Sequence, residues 1–236
     1  MTVKTANWRV TPRNLDRLDR VDGVEPGSVS LHATELDEVS YKRLALFLTE
    51  HGGLLKILKA RPARGSQRRA EFADVDFAAD CPNLKTLEAA RITFDETPLA
   101  HPSLTSVTLR ESNYTGRPRE LTVAESPLRK LVFDDCIVDA DRLTVAAGSR
   151  LRTFEFWLDE DFAGTCPDDF ALLGTSLVEM VVRAAWDFTV TTTYASERRV
   201  RIRDFRAGRY NSGAAYVYVD SEGNPRRMGV YSPSDE

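Results

Sequence analysis

The sequence predicts an α/β fold in which short parallel strands stack as successive units of one solenoid. The first observation is the stretch LRKLVFDDCIV, whose apolar side chains are Leu128, Leu131, Phe133, Cys136 and Val138. These offsets of three, five, eight and ten residues fit neither a helix, which favours steps of three, four and seven, nor a strictly alternating strand. Two further observations, a recurrence of this spacing and a second apolar register, extend the pattern along the chain.

The spacing begins again in four other stretches: LKTLEAARITF, LTSVTLRESNY, LRTFEFWLDEDF and LVEMVVRAAWDF. The five units start at Leu84, Leu104, Leu128, Leu151 and Leu177, at intervals of 20, 24, 23 and 26 residues. In each unit the first Leu leads into a short strand whose next two apolar residues point inward. Because no unit of this kind buries its apolar side alone, the units must stack on one another.

A second apolar register precedes the first. LTVAESPLRKLVF, residues 121–133, aligns with LTVAAGSRLRTFEF, residues 143–156, after one inserted residue. Phe77, Leu121 and Phe170 each stand seven residues before the first Leu of their unit. Each unit therefore carries an additional apolar segment ahead of its strand.

These units resemble the leucine-rich repeat, whose consensus is L-x-x-L-x-L-x-x-N/C-x-L with a period of 20–29 residues. LRKLVFDDCIV fits every fixed position, with Cys136 in the Asn/Cys place, and CPNLKTLEAARITF is similar to the cysteine-containing variety. The resemblance covers residues 77–188, and more loosely 29–203. It implies a short curved solenoid of seven or eight irregular repeats, with parallel strands on its concave face. Four other units depart from the consensus at the Asn/Cys position, where they carry Ile92, Ser112, Asp159 and Ala185.

One structural domain of three parts is predicted. Residues 1–28 form an N-terminal cap or lead-in, residues 29–205 the leucine-rich-repeat-like solenoid, and residues 206–236 a C-terminal β-hairpin cap and tail. The hairpin is expected because AAYVYVDSEGNPRRMGVY alternates and then turns at residues 223–225, Gly-Asn-Pro. Such a hairpin would cover the open end of the solenoid, since an uncapped sheet edge favours aggregation.

Two helices are predicted. SVSLHATELDEVSYKRLALFLTEHGGLLKILKA indicates a strand, a helix and a strand, with Thr34 as the N-cap and the glycine pair 52–53 at the helix end. TCPDDFALLGTS predicts a second helix of one or two turns, with Pro167 near its first position and Gly174 past its end. The apolar face expected for the first helix comprises Leu36, Val39, Leu44, Phe47 and Leu48.

Composition and charge exclude several classes of protein. The chain has 32 basic and 36 acidic residues and a net charge of −4, which is too balanced to require nucleic acid or an anionic membrane as a partner. It contains no run of 18 apolar residues, and MTVKTANWRVTPRNLDRLDR lacks the apolar segment of a signal peptide, so no membrane association is expected. Three widely spaced cysteines, Cys81, Cys136 and Cys166, predict reduced thiols and a cytoplasmic location.

No common catalytic, nucleotide-binding or metal-binding motif is present. His32, His51 and His101 lack metal-ligand spacing to the cysteines, and we expect them at the surface or at helix ends. The adjacent carboxylates of Asp168 and Asp169 are interpreted as charges at a helix N-terminus. We therefore expect a non-catalytic protein without a cofactor, and an enzyme whose site the sequence does not reveal is a third alternative.

The resemblance implies a protein–protein interaction module that binds another protein through its concave face. Residues that alternate with the inward apolar ones line that face, and one column across the units runs Ala90, Arg110, Asp134, Trp157, Arg183. A tryptophan beside arginine and acid is typical of interface hot spots. The alternative is that Trp157 packs as satellite core under the turn at residues 159–162. The expected partner-binding residues are Trp157, Arg183, Arg110, Asp134, Glu155 and Lys130.

A basic strand suggests a different function. In ERRVRIRDFRAGR, Val200 and Ile202 alternate with arginines, within a positive stretch from Arg198 to Arg209. The pattern indicates either a solvated terminal strand protected from edge pairing or a surface for an anionic protein, a nucleic acid or another polyanion. Few aromatic side chains stand here to stack on bases, so nucleic acid is not the expected partner. The basic-strand residues are Arg199, Arg201 and Arg203.

Overall fold

The structure is a computed structural model that describes most of the first two thirds of the chain and separate segments after that. The residues described are 6–63, 70–72, 75–94, 97–114, 120–123, 126–158, 165, 167, 169–173, 176–183, 189–193, 200–204, 215–219 and 225–228. For residues 70, 71, 97, 183, 189, 192, 193, 201–204, 215–219 and 225–228, only the backbone is described.

Within these residues the chain forms eighteen strands, three α-helices and two 3₁₀ helices. The helices are α1 (Glu38–His51), α2 (Phe77–Asp80) and α3 (Thr97–Ala100), and the 3₁₀ helices are Pro12–Asp19 and Gly52–Leu54. The strands are β1 (Ala6–Val10), β2 (Val29–Leu36), β3 (Leu55–Pro62), β4 (Ala70–Glu71), β5 (Thr86–Ala90), β6 (Ile92–Phe94), β7 (Ser106–Arg110), β8 (Asn113–Tyr114), β9 (Glu120–Val123), β10 (Lys130–Asp134), β11 (Arg142–Val145), β12 (Thr153–Trp157), β13 (Asp169–Leu172), β14 (Glu179–Arg183), β15 (Thr189–Thr193), β16 (Arg201–Asp204), β17 (Ala215–Val219) and β18 (Pro225–Met228).

The strands form open, mostly parallel sheets, which confirms the predicted α/β class. The nine-stranded sheet has the order β1-β2-β3-β5-β7-β10-β12-β14-β16, and each neighbouring pair is parallel. A six-stranded sheet has the order β18-β17-β15-β13-β11-β9, and a three-stranded sheet the order β4-β6-β8. From β9 to β17 the chain alternates between the six-stranded and the nine-stranded sheet. The members of each sheet therefore come from successive units of the sequence.

The register of the nine-stranded sheet places the predicted units opposite one another. Leu87 pairs with Val107, which pairs in turn with Leu131, and the same row continues into β12 and β14. The next inward row runs Ala89, Leu109, Phe133, Phe156, Val182. All members of both rows are at most 1% exposed, so they form the core of the sheet. Differences in unit length are taken up between the strands.

The second apolar register forms the six-stranded sheet. Leu121 pairs with Leu143 and Leu143 with Phe170, all of them buried. The ring centroids of Phe154 in β12 and Phe170 in β13 lie 5.9 Å apart, so the two sheets pack against each other. Phe77, the remaining member of that register, lies in α2 instead, where it is also buried.

Three turns that follow strands of the large sheet use a left-handed residue. Arg91, Glu111 and Asp135 have φ values of 57°, 46° and 52°. This conformation costs a non-glycine residue roughly 1–2 kcal/mol. An additional inter-strand hydrogen bond at each turn offsets that cost. The three N–H groups donate, at 2.7–2.8 Å, to the carbonyl oxygens of Arg110, Asp134 and Trp157.

Polar side chains at the Asn/Cys position fix the same turns. The Cys136 thiol donates to the Leu109 carbonyl at 3.3 Å. The Ser112 hydroxyl donates to the Arg110 carbonyl at 2.7 Å and accepts from the Ile92 N–H at 3.2 Å. Ser112 therefore supplies a side-chain hydrogen bond despite departing from the consensus, whereas Ile92 contributes only buried apolar surface.

The helix predicted after the first long strand is present, but its cap and one face residue differ from expectation. Thr34 lies within β2, and Asp37 caps α1 by accepting a hydrogen bond from the Ser40 N–H at 2.8 Å. Val39 is 73% exposed, and Tyr41 occupies the buried face in its place. Strand pairing with β3 extends β2 past Thr34, and this shift moves the helix start by three residues.

The prediction of a second helix in TCPDDFALLGTS is wrong. Asp169–Leu172 is strand β13, held between β11 and β15. Phe170 and Leu172 alternate inward and are fully buried, which a strand in this sheet allows and a helix of this length would not. Asp169 is accordingly not a helix-terminal charge, since its carboxylate pairs with Arg142 of β11 at 2.6 Å. Asp168 and Gly174 lie outside the described residues.

The two ends of the chain add strands to the sheets. Within the predicted lead-in, β1 pairs with β2 at one edge of the nine-stranded sheet, and β16 lies at the other edge. The predicted C-terminal hairpin is present as the antiparallel pair β17–β18, and β17 pairs in parallel with β15. None of the helices described has the length and apolar character needed to cross a membrane.

Replacing Leu131 with Ala should lower the free energy of unfolding by roughly 2–5 kcal/mol, because it leaves a cavity in the inward row of β10. Leu131 is 0% exposed. The control is Val39→Ala on the outer side of α1, which should change stability by less than about 0.5 kcal/mol. Urea unfolding followed by circular dichroism measures both, and equal effects of the two changes would contradict the register.

Candidate functional site

The face of the nine-stranded sheet opposite the core carries mostly polar side chains. We call it the polar face and define it by the residues that alternate with the inward rows of β5, β7, β10, β12 and β14. Strand pairing aligns them in rows, of which one runs Glu88, Thr108, Val132, Glu155, Val181 and the next runs Ala90, Arg110, Asp134, Trp157, Arg183. Side chains from units twenty or more residues apart in sequence therefore become direct neighbours.

A cleft of about 280 Å³ opens on the middle of the polar face. It spans β7, β10 and β12. Val132, only 8% exposed, provides an apolar floor, and charged side chains surround it. The residues that line the cleft are Thr108, Arg110, Lys130, Val132, Asp134, Glu155 and Trp157.

The charged side chains of the cleft are paired across the strands. Arg110 Nε lies 3.5 Å from Asp134 Oδ2, and Lys130 Nζ lies 3.1 Å from Glu155 Oε1. The other oxygen of Glu155 accepts a hydrogen bond from the Trp157 indole N–H at 3.1 Å. The pairs hold the four charges in place, and the Glu155 carboxylate orients the indole ring.

Partial burial changes the pKa of the Asp134 carboxyl group. Burial raises the pKa of Asp134 above its ordinary value, and the Arg110 guanidinium opposes that change. The nearby carboxylates of Asp135, Glu111 and Glu155 act in the same direction as burial. Asp134 is therefore partly desolvated, and its interaction with Arg110 is stronger than it would be in bulk water.

Five of the six residues predicted for partner binding line this one cleft: Trp157, Arg110, Asp134, Glu155 and Lys130. Trp157 is half-buried and borders the cleft. The turn at residues 159–162, under which the alternative packs Trp157 as satellite core, lies outside the described residues. The sixth residue, Arg183, pairs with Trp157 through its backbone, and its side chain lies outside the described residues.

The predicted basic strand is only partly described. Arg201 and Arg203 belong to β16, which pairs with β14, but their side chains lie outside the described residues. Arg199, like Arg198, Arg206 and Arg209, lies entirely outside them.

A second charged group on the same sheet face was missed from the sequence. Arg9, His32 and Lys59 are neighbours in one row of β1, β2 and β3, and Arg61 follows Lys59 by two residues. The alternation of Leu58 and Ala60 with Lys59 and Arg61 was a signal for half of the group. Arg9 gave no such signal, because its strand lies in the segment expected to be an irregular lead-in.

The two described cysteines are used for packing. Cys81 and Cys136 are buried and unpaired, and burial raises the pKa of each thiol to about 12. Cys166 lies outside the described residues. Among the described residues, no three His, Cys, Asp or Glu side chains are grouped so that they could hold a metal ion.

His101 directly follows α3 and so lies at a helix end, one of the two expected places, but it is buried, at 1% exposed. Its Nδ1 accepts hydrogen bonds from the Ser103 and Leu104 N–H groups, and its Nε2 lies 2.9 Å from the Phe77 carbonyl. The neutral ring with its proton on Nε2 satisfies all of these partners. His101 therefore ties α2 to the start of the next unit.

Comparison of the chain with protein-family models, with curated proteins and with solved structures finds no match.

The buried thiols should react slowly with a thiol reagent, because their raised pKa values leave almost no thiolate at neutral pH. A Cys166→Ser variant isolates the two described cysteines. In native buffer it should show little labelling over a period in which urea-unfolded protein reacts with two equivalents. Fast stoichiometric labelling of the native variant, followed by absorbance, would contradict the burial of Cys81 and Cys136.

His101 should make stability depend on pH between about 7 and 5. Burial lowers the pKa of His101, with Lys85 adding to that effect and hydrogen bonds to Phe77 and Cys81 opposing it. Below the ordinary histidine value the unfolded chain takes up a proton that the folded chain resists, so stability falls as pH falls. His101→Gln should flatten this dependence in urea unfolding at pH 7.5, 6.5 and 5.5. Equal slopes for parent and His101→Gln would refute the assignment.

Proposed function

We propose that the chain is a leucine-rich-repeat-like solenoid whose polar face is its concave side. Three features support this: the match of LRKLVFDDCIV to the repeat consensus, intervals of 20 to 26 residues, and parallel pairing of successive units in one register. Left-handed turns at equivalent positions after three strands support it further.

On this scaffold, the function proposed is that of a non-catalytic protein–protein interaction module, working without a cofactor in the cytoplasm. The observation that carries the proposal is the cleft, which joins a half-buried tryptophan to two ion pairs over an apolar floor. Tryptophan and arginine at the centre of a partly desolvated depression are the residues on which binding energy concentrates in protein interfaces.

A fitting partner would place an apolar or aromatic side chain against Trp157 and Val132. Covering the cleft removes water from Arg110, Asp134, Lys130 and Glu155, and this desolvation is costly unless each charge keeps its partner. The existing pairs across β7, β10 and β12 meet that requirement before binding. The partner therefore needs only a few polar groups to complete the rim, and most of the affinity comes from the indole contact.

A peptide selection tests this function and requires no named partner. Random peptides displayed on phage are selected on the parent protein, and their affinities are then measured on Trp157→Ala. We expect most selected peptides to lose at least about 2 kcal/mol, roughly thirtyfold in Kd, because a hot-spot contact is removed.

The matched control is Leu46→Ala, a truncation of a 58% exposed side chain on α1 away from the polar face, which should leave the affinities unchanged. Equal binding of the peptides to parent and Trp157→Ala would place the binding site elsewhere. The thermal midpoint of Trp157→Ala, measured in parallel, should stay close to that of the parent, and its collapse would make Trp157 a structural residue instead.

A further inference from the structure

The group of basic side chains at the β1 edge of the sheet forms a compact patch. We call Arg9, His32, Lys59 and Arg61 the basic patch. Arg9, His32 and Lys59 are successive partners in one row across β1, β2 and β3. Because neighbouring strands lie about 4.8 Å apart, the row spans only about 10 Å. It continues into Glu88 on β5 and so lies on the same face as the cleft.

The patch holds more positive charge than its surroundings balance. Among the described residues, Glu88 is the only carboxylate that forms ion pairs with it: it lies 2.9 Å from Lys59 Nζ and also binds Arg61. Burial acts to raise the pKa of Glu88, but hydrogen bonds from Lys59 and Arg61 outweigh it and hold that pKa below its ordinary value. With Glu88 ionised, and counting only the ion pairs among the described residues, three permanent cations share one carboxylate, which leaves two positive charges.

His32 lies between these cations. Its Nε2 lies 3.0 Å from the Ser30 hydroxyl. Burial lowers the pKa of His32, the charges of Lys59, Arg9 and Arg61 lower it further, and Glu88 opposes them. A bound anion would offset the three cations and allow the ring to take up a proton. Binding of an anion would therefore increase the positive charge of the patch, because it would favour the protonated form of His32.

The same face argues for an acidic peptide over a nucleic acid. Beyond the patch, the carboxylates of Glu88, Glu155 and Asp134 pair with the neighbouring cations, so the described part of this face offers no continuous positive track for a long phosphate backbone. The one aromatic ring on β1, Trp8, packs on the other side of the sheet against Phe47 of α1, at 6.3 Å between centroids, and is not placed to stack on a base. A short acidic peptide segment needs neither a long positive track nor a ring for stacking, and it therefore suits the basic patch.

The distance from the patch to the cleft suits one extended peptide. β3 and β10 are separated by β5 and β7, which is three strand spacings or about 14 Å. An extended chain covers this distance in four to five residues. We propose that Arg9, Lys59 and Arg61, with His32 between them, bind an acidic segment of the partner protein, about four to five residues from the side chain that fills the cleft. This inference rests on the proposed function of the polar face.

Fluorescence anisotropy with a fluorescein-labelled hexaglutamate peptide tests the proposal at low salt. The parent protein should bind this peptide, fail to bind hexaglutamine, and lose affinity as salt is added. Arg9→Gln/Lys59→Gln should weaken hexaglutamate binding at least tenfold. The control Arg20→Gln/Lys42→Gln removes the same two charges from exposed positions away from the patch, and it should bind within twofold of the parent.

The pH dependence of hexaglutamate binding gives a second readout. Between pH 8 and pH 6 the affinity of the parent for hexaglutamate should rise, because His32 gains charge beside Arg9, Lys59, Arg61 and Glu88. His32→Gln should remove this rise, and comparing the two proteins cancels any change in the charge of the peptide itself.

Three results would overturn the inference: equal losses in the patch and control variants, an unchanged pH profile in His32→Gln, or tighter binding of hexathymidylate than of hexaglutamate, which would indicate a nucleic-acid surface. Trp157→Ala separates this inference from the proposed function, because it should leave hexaglutamate binding intact. If the parent protein does not bind hexaglutamate as expected but the selected peptides still depend on Trp157, the proposal for the basic patch is wrong and the proposed function of the cleft stands.

Discussion

The in-register hydrogen bonding of the nine parallel strands is the constraint on which the rest of this structure depends. Side chains alternate strictly between the two faces of each strand, so pairing without a slip aligns inward residues with inward residues. Leu131 and Phe133 therefore meet their equivalents on both sides, and the apolar rows join into one core. A slip of one residue in β10 would place these side chains on the polar face.

The second sheet completes this arrangement. A sheet with one polar face must cover its other face, and the six-stranded sheet supplies part of that cover through contacts such as Phe154 with Phe170. At the ends of β5, β7 and β10, the left-handed residues Arg91, Glu111 and Asp135 turn the chain away from the nine-stranded sheet. Their N–H groups extend the hydrogen bonding by one more step. The turns are thus part of the same ladder as the strands.

On the polar face, the strand register brings side chains that are distant in sequence into contact. Arg110, Asp134 and Trp157 are separated by more than twenty residues in sequence, yet each is the direct cross-strand neighbour of the next. Because the ion pairs form between strands that the core already holds, the cleft is preorganised and little side-chain freedom is lost when it is covered. The basic patch arises in the same way, and its unbalanced charge is tolerated because the core beneath it holds β1, β2 and β3 together.

The sequence by itself determined the inward rows, the α/β class and five residues of the cleft. Those predictions needed only the alternation of side chains within a unit and the spacing between units, which are properties of the local chain. Once Leu128, Leu131 and Phe133 were assigned inward, Lys130 and Asp134 had to lie on the other face, and the same rule placed Trp157 and Glu155.

Tertiary structure decided the rest, because it depends on which partner a segment meets. Asp169–Leu172 carries helix signals at both ends but becomes a strand because β11 and β15 offer hydrogen bonds on both sides. His101 is buried because the carbonyl oxygens of α2 and the N–H groups of the next turn converge on its ring. The basic patch could not be foreseen, since Arg9 joins His32 and Lys59 only when β1 pairs with β2. The spacing of apolar residues is a local property that the sequence shows directly. Pairing between distant segments is decided only when the folded protein brings their backbone groups together.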